Sequence, residues 1–337
     1  MEKAIEQSIP PLRKPHICCV KLFERCIMRC KMCSFWQNKT YPPNVYIPLQ
    51  QWEKFLVSLK KFLDGDPIEI SLSGGEPLMH KDIFALIKMI DGIGFTSFIN
   101  SNGYLLINKS MAGKIAESNL KKICLSLDSF SSDTHDYLRG RKGSFKKVMD
   151  AIKYLRDASN NLEIGIITII MGKNVDDILP LSDWVQKNND INSISFQVVM
   201  QPFGEKTDER WYDKEKYKEL WPQSINKVYS ILDSLIKLEE AGFSKITNTI
   251  SQLEAYKKYF KEPENFIKKD RVCNLLDSRL FIDPLGKVYL CAYKGEIGHI
   301  DQDVERLYFS DKAQEARKQI VSCKRNCHEV VNCNYED

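Results

Sequence analysis

Between about residues 16 and 200, short runs of β-branched and apolar residues alternate with longer segments whose apolar positions recur at helical spacing. The short runs are ICCVKLF (17–23), IEISLS (68–73), FTSFIN (95–100), KICLSLD (122–128), EIGIITII (163–170) and SISFQVV (193–199). Between them lie LQQWEKFLVSLKKFL (49–63), KDIFALIKMI (81–90), KSMAGKIAES (109–118), SFKKVMDAIKYLR (144–156) and VDDILPLSDWVQK (175–187). Strands separated by helices of this length pair in parallel through crossovers. Six strands alternating with five helices predict an incomplete (β/α)6 TIM-like barrel rather than a closed eightfold one.

After residue 200 the pattern changes. QPFGEKTDERW reads as a loop, 214–242 as a helix broken near Pro222, and 251–263 as another helix. From Cys273, RLFID and KVYLC flank PLG, which is a hairpin signal, and the amphipathic stretch 304–320 follows. The predicted organisation is therefore an N-terminal extension (1–16), the partial barrel (17–212), a helical connector (213–272) and a small hairpin and helix domain (273–337). The fold class is α/β. Aromatic residues of the 200–270 segment are expected to fill core and to contribute to a pocket wall.

With 337 residues and 43% hydrophobic content the chain can bury a large core. Its 49 basic and 45 acidic residues are interspersed, so no general nucleic-acid binder is expected. No apolar run of about 18 residues occurs, and MEKAIEQSIPPLRKP lacks the apolar region of a signal peptide, so a cytosolic protein without a membrane partner is expected.

In a reducing compartment, clustered cysteines point to metal or redox work rather than to disulfides. The eleven cysteines concentrate near the two ends: Cys26, Cys30 and Cys33 in one loop, and Cys273, Cys291, Cys323, Cys327 and Cys333 in the tail. Three close thiolates suit zinc or an iron–sulfur cluster, and an odd number leaves one iron of a four-iron cluster open. The polar motifs fall at strand ends, where chemistry gathers in such sheets: CIMRCKMC after the first, SGGEP after the second, NSNGY after the third and SLDS after the fourth.

Cys26, Cys30 and Cys33, spaced CxxxCxxC directly after a first strand, resemble the signature of the radical S-adenosylmethionine (SAM) superfamily. The resemblance covers roughly residues 17–200. It implies a [4Fe–4S] cluster whose open iron binds SAM, cleavage to methionine and a 5′-deoxyadenosyl radical, and hydrogen-atom abstraction from substrate. By the same resemblance Gly74, Gly75, Glu76 and Pro77 meet the methionine amino group, Ser126 and Asp128 help bind ribose and carboxylate, and Arg139 faces the methionine carboxylate. Asn102 is a further cofactor contact or a turn-forming residue, and Met32 lies beside adenine or in ordinary packing.

Cys273 and Cys291, with Gly286 between them, resemble the opening of the SPASM and twitch extensions, whose hairpin carries auxiliary cluster ligands. A full SPASM domain has more cysteines than the five here. The resemblance therefore implies one auxiliary [4Fe–4S] cluster held by Cys273, Cys291 and two of Cys323, Cys327 and Cys333, with zinc as the alternative. Cys18, Cys19 and Cys124 sit in strands, where small buried thiols are common.

The predicted function is radical SAM chemistry on a small molecule, sugar-like or nucleotide-derived, with oxidation or epimerisation as the net result. About 16 residues precede the first strand, too few for a peptide-recognition domain, which leaves peptide maturation as the alternative substrate class. A non-catalytic iron–sulfur or zinc protein is the alternative from a different class. The implied partner is a flavodoxin- or ferredoxin-type electron donor.

Overall fold

The computed structural model describes residues 11–37, 40–42, 45–106, 108–202, 208–242, 245–265, 273–323, 325, 327 and 332. Cys333 and most of the final segment lie outside them.

The six predicted strands form: β1 (Ile17–Lys21), β2 (Glu69–Ser73), β3 (Thr96–Ser101), β4 (Lys122–Ser126), β5 (Glu163–Ile170) and β6 (Ser193–Val198). They pair in parallel in chain order. The helices are α1 (Leu49–Leu63), α2 (Ile83–Ile93), α3 (Lys109–Ala116), α4 (Ser132–Arg139), α5 (Ser144–Ala158) and α6 (Ile178–Lys187). Of these α4 is additional to the sequence expectation. Its signals are local: Ser131 Oγ accepts from Thr134 N at 3.3 Å as N-cap, and Gly140 closes it at φ 63°.

Alternation along the strands separates two faces. Cys18, Val20, Ile70 and Leu72 turn to the helices and pack with Trp52, Phe55, Leu86 and Ile90 in one close apolar layer. Each such aliphatic side chain contributes about 1.5–3 kcal/mol by burial. The intervening residues face the other way, among them Asn100, Cys124 and Gly165, which lie opposite one another in register.

The predicted hairpin forms as β7 (Arg279–Ile282) and β8 (Lys287–Tyr289), with β9 (Gly298–His299) added. It is not a separate sheet. β7 runs parallel to β1, with Val20 opposite Ile282, so the order is β6-β5-β4-β3-β2-β1-β7-β8-β9. An uncovered β1 edge would expose unpaired amides and carbonyls, and β7 satisfies them. The sheet stays open, with β6 and β9 at its edges.

The connector supplies α7 (Ile225–Glu240) and α8 (Ile250–Lys261). The former begins beyond Pro222, at an N-cap where Ser224 accepts from Lys227 N. Trp211, Trp221, Tyr259 and Phe260 are buried here, and the Tyr259 and Tyr256 hydroxyls donate to Val199 O and Phe196 O, both at 2.8 Å. These aromatics are core that clamps the end of β6.

The stretch 304–320 divides into α9 (Val304–Tyr308) and α10 (Asp311–Val321), because Ser310 caps the second helix. Arg317 is fully buried, stacks on Tyr308 with its guanidinium 4.4 Å from the ring centre, and donates to Tyr308 O at 2.8 Å. Among the described residues no helix is long and apolar enough to cross a membrane.

Candidate functional site

Cys26, Cys30 and Cys33 occupy the loop after β1, each half-exposed. Backbone contacts fix that loop on two sides. Toward β2, Gly75 N donates to Phe23 O at 2.8 Å and Glu76 N to Arg25 O at 2.9 Å. A Cβ at Gly74 would lie 2.3 Å from Phe23 O, and one at Gly75 1.9 Å from Arg25 O. The close approach expected of these glycines is thus made to the stem of the cysteine loop itself.

The other side is held by α4. Carbonyls of its last turn have no helical partner. They accept from the loop instead: Lys31 N donates to Leu138 O at 2.8 Å and Arg29 N to Arg139 O at 3.2 Å. Arg141 Nη1 donates to Ile27 O at 3.0 Å, and a Cβ at Gly140 would lie 2.0 Å from Arg29 O.

Glu76 is buried and turned inward. Its Oε1 accepts from Ser101 Oγ at 2.8 Å and Leu78 N at 3.2 Å, and its Oε2 accepts from Asn102 N at 2.9 Å. Burial pushes this carboxyl up to about 7, against the opposing effect of those three donors. Pro77 opens the short turn Pro77–Met79 that Glu76 caps. Asn102 Oδ1 accepts from Tyr104 N at 3.0 Å as a turn former, and its Nδ2 donates to Cys26 Sγ at 3.6 Å.

Asp128 is fully buried at the end of β4. Its Oδ1 accepts from Ile169 N at 3.1 Å, and its Oδ2 lies 2.7 Å from Arg139 Nε. Asp128 N donates to His135 Nδ1 at 3.2 Å. Burial, then the nearby Arg139 charge, holds His135 down to about 4, so the ring is neutral. Ser126, the last residue of β4, is half-buried two residues before Asp128, and Met32 is buried in the apolar core.

Burial raises all three thiols, Cys30 to about 12, with Arg139 opposing that rise at Cys30 and at Cys33. They are therefore neutral until a metal replaces the proton. Among the described residues no three His, Cys, Asp or Glu side chains are placed to hold a single metal ion. A four-iron cluster takes each thiolate on a different iron, so it requires spread ligands on a fixed loop. Three half-exposed thiols, an amide donating to one sulfur and a cation facing another fit such a group. A cavity of about 450 Å³ opens beside them, lined by Cys30, Cys33, Ser34, Trp36 and Pro202 among others.

In the tail, Cys273 precedes the turn Asn274–Leu276 leading into β7, and Cys291 follows β8, so the two frame the hairpin. Cys291 Sγ accepts from Tyr293 N at 3.5 Å, and the Arg325 guanidinium stands 3.7 Å from the Tyr293 ring centre. Cys323 is exposed and Cys327 half-exposed.

Sequence reading missed Gly140, Arg141 and the loop-holding carbonyls of α4. The Ser131 and Gly140 caps were the available signal for that helix.

The radical SAM superfamily matches residues 20–185. The AdoMet-dependent heme synthase of Oleidesulfovibrio alaskensis is 27% identical over 165 residues, which is 49% of this chain and 40% of that protein. The GTP 3′,8-cyclase of Campylobacter curvus is 23% identical over 61% of this chain and 62% of its own length. The chain thus spans roughly half the length of such curated relatives. In fold it is similar to Streptococcus suis SuiB bound to the precursor peptide SuiA, with a TM-score of 0.66 at 16% identity over 95% of this chain and 70% of that one. Residues 20–185, which hold Cys26, Cys30, Cys33, Glu76 and Arg139, match the radical SAM superfamily and are a radical SAM domain within this chain.

Proposed function

We propose that the chain uses the cofactors of its superfamily, a [4Fe–4S] cluster and SAM, to take a hydrogen atom from a polar, hydroxylated small molecule. The observation that carries the reading is the cysteine loop clamped between Gly75 and α4, with Glu76 and Arg139 on its two sides. One electron delivered to the bound cofactor pair cleaves SAM to methionine and a 5′-deoxyadenosyl radical, which is the chemistry this pair supplies.

The chain's own residues do the placing. Cys26, Cys30 and Cys33 hold three irons. Glu76, with Gly74, Gly75 and Pro77 setting its position, receives the methionine ammonium. Arg139, aligned by Asp128, receives the carboxylate. Asn102 donates to the Cys26 sulfur and, with Ser126 and Met32, borders the cofactor.

The substrate class rests on the sheet face away from the helices. It carries the uncharged polar side chains Asn100, Ser126, Ser195 and Gln197 beside the apolar Phe98, Ile167 and Ile169. The polar set would pair with hydroxyls and amides of a small substrate. The twitch-like tail is proposed to hold one auxiliary cluster through Cys273, Cys291 and two of Cys323, Cys327 and Cys333. Its support is that the hairpin framed by the first two is hydrogen-bonded onto β1, and so is continuous with the barrel. A cluster there would accept an electron in a net oxidation; without that step the net result is epimerisation.

The test is deuterium transfer. Incubation with deuterated sugars, aminocyclitols or nucleosides is expected to give 5′-deoxyadenosine carrying deuterium. Transfer from deuterated peptides, with none from these, would replace the small-molecule reading by peptide maturation.

A further inference from the structure

We infer that Asn174, in the turn that follows β5, is a positioning residue for SAM: its side-chain amide fixes Asp128, and through Asp128 the Arg139 guanidinium. The inference rests on the function just proposed.

The regular ladder between β4 and β5 ends where Leu127 N donates to Ile167 O at 3.0 Å. Its next bond would run from Ile169 N to Leu127 O. Ile169 N donates instead to Asp128 Oδ1 at 3.1 Å, and Leu127 O accepts from Thr168 Oγ1 at 2.7 Å. Past this point side chains replace the ladder, and Asn174, which is fully buried, supplies most of the replacement. Its Nδ2 donates to Asp128 O at 2.6 Å and to Ile169 O at 2.9 Å, and its Oδ1 accepts from Met171 N at 2.8 Å. A primary amide offers two N–H donors and an acceptor within so short a span. Two carbonyl oxygens facing one of its atoms and an N–H facing the other leave it a single orientation.

Capping the turn needs only the Met171 bond. The reach of Nδ2 to another strand is what ties β5 to Asp128. All four polar groups of Asp128 are then held: N on His135 Nδ1, O on Asn174 Nδ2, Oδ1 on Ile169 N and Oδ2 on Arg139 Nε. The turn Gly172–Asp177 has a second hold on the same strand end, since Ser129 Oγ donates to Asp177 Oδ2 at 2.6 Å. The connector backs the turn in its place: Gly172 N donates to Leu220 O at 2.8 Å, and a Cβ at Gly172 would lie 2.5 Å from Trp221 O. A carboxylate free to turn would let the guanidinium follow it. With Asp128 fixed, Arg139 presents one direction to the methionine carboxylate, and a charge-assisted pair of that kind depends on direction.

The experiment compares binding of SAM and of decarboxylated SAM, which lacks only the methionine carboxylate, by equilibrium dialysis against reconstituted enzyme at equal iron content. Asn174→Leu, close in shape, is expected to weaken SAM binding more than about fivefold and that of decarboxylated SAM less than about twofold. Thr168→Val, which removes only the hydroxyl bond to Leu127 O, is expected to weaken SAM binding alone, by about two- to threefold. Asn248 is the matched control: it is also buried, and its amide pairs with Phe196 N at 2.7 Å and Phe196 O at 2.9 Å on β6. Asn248→Leu is expected to lower the urea midpoint, as Asn174→Leu does, and to leave the ratio of the two affinities within about twofold of wild type. An unchanged ratio in Asn174→Leu, or one shifted as far in Asn248→Leu, would overturn the proposal. Should Asn174→Leu fail to fold, an unchanged ratio in Thr168→Val overturns it. Failure of the underlying function is separate: it would appear as no SAM binding and no 5′-deoxyadenosine with dithionite in the wild type.

Discussion

Arg139 Nε lies 2.7 Å from Asp128 Oδ2, and this buried pair joins the end of β4 to the last residue of α4. Because Arg139 O also accepts from Arg29 N, the pair sets the height of the cysteine loop. Removing one partner leaves a buried charge uncompensated, which costs about 3–5 kcal/mol. Asp128→Asn is expected to lower stability by that order in urea unfolding, and Asp128→Asn/Arg139→Met to lose less than the sum of the single changes.

Gly75 and Gly140 are occupied volume rather than flexible links. Gly75→Ala would place a methyl 1.9 Å from Arg25 O, and Gly140→Ala one 2.0 Å from Arg29 O at φ 63°. Each is expected to push the loop away from its support and to cut iron retention after anaerobic reconstitution to less than about half, a loop displacement acting on all three ligands together. Circular dichroism is expected to show the barrel retained. Full iron content in both variants would contradict the clamping role.

Glu76 provides a pH dependence whose sign follows from burial. Its carboxyl is raised to about 7 from an ordinary value of 4.5, so the stability it contributes is fully present below 4.5 and is lost as pH rises through 7. Ammonium binding opposes that loss, since the partner favours the ionised form. SAM affinity is accordingly expected to rise as pH climbs through about 7 in the wild type and to be flatter in Glu76→Gln, measured by equilibrium dialysis between pH 5.5 and 8.5.

The auxiliary cluster is tested by counting iron. Reconstituted wild type is expected to hold about eight irons per chain, and Cys291→Ala about four with the SAM-linked signal kept. About four in the wild type would remove the second cluster from the account.

Six strands and five crossover helices were legible because each carries its own periodicity, and CxxxCxxC because its spacing is local. What stayed hidden depends on contacts far apart in sequence. GGEP marks a close approach, but only the fold shows that the backbone approached is Phe23 to Arg25. RLFID and KVYLC predict a hairpin, yet nothing in them states that β7 will cover the β1 edge. Asp128 reads locally as a cofactor contact, and no local motif states that its oxygens also meet Ile169 N and Arg139. Its effect on SAM in the proposed function is transmitted through Arg139.

The central claim is that this loop makes the chain a SAM-cleaving enzyme. Anaerobic reconstitution, reduction with dithionite and chromatography of the products with SAM present test it directly. Wild type is expected to form 5′-deoxyadenosine and Cys30→Ala to form none above background; equal amounts from both, or none from either, would contradict the account.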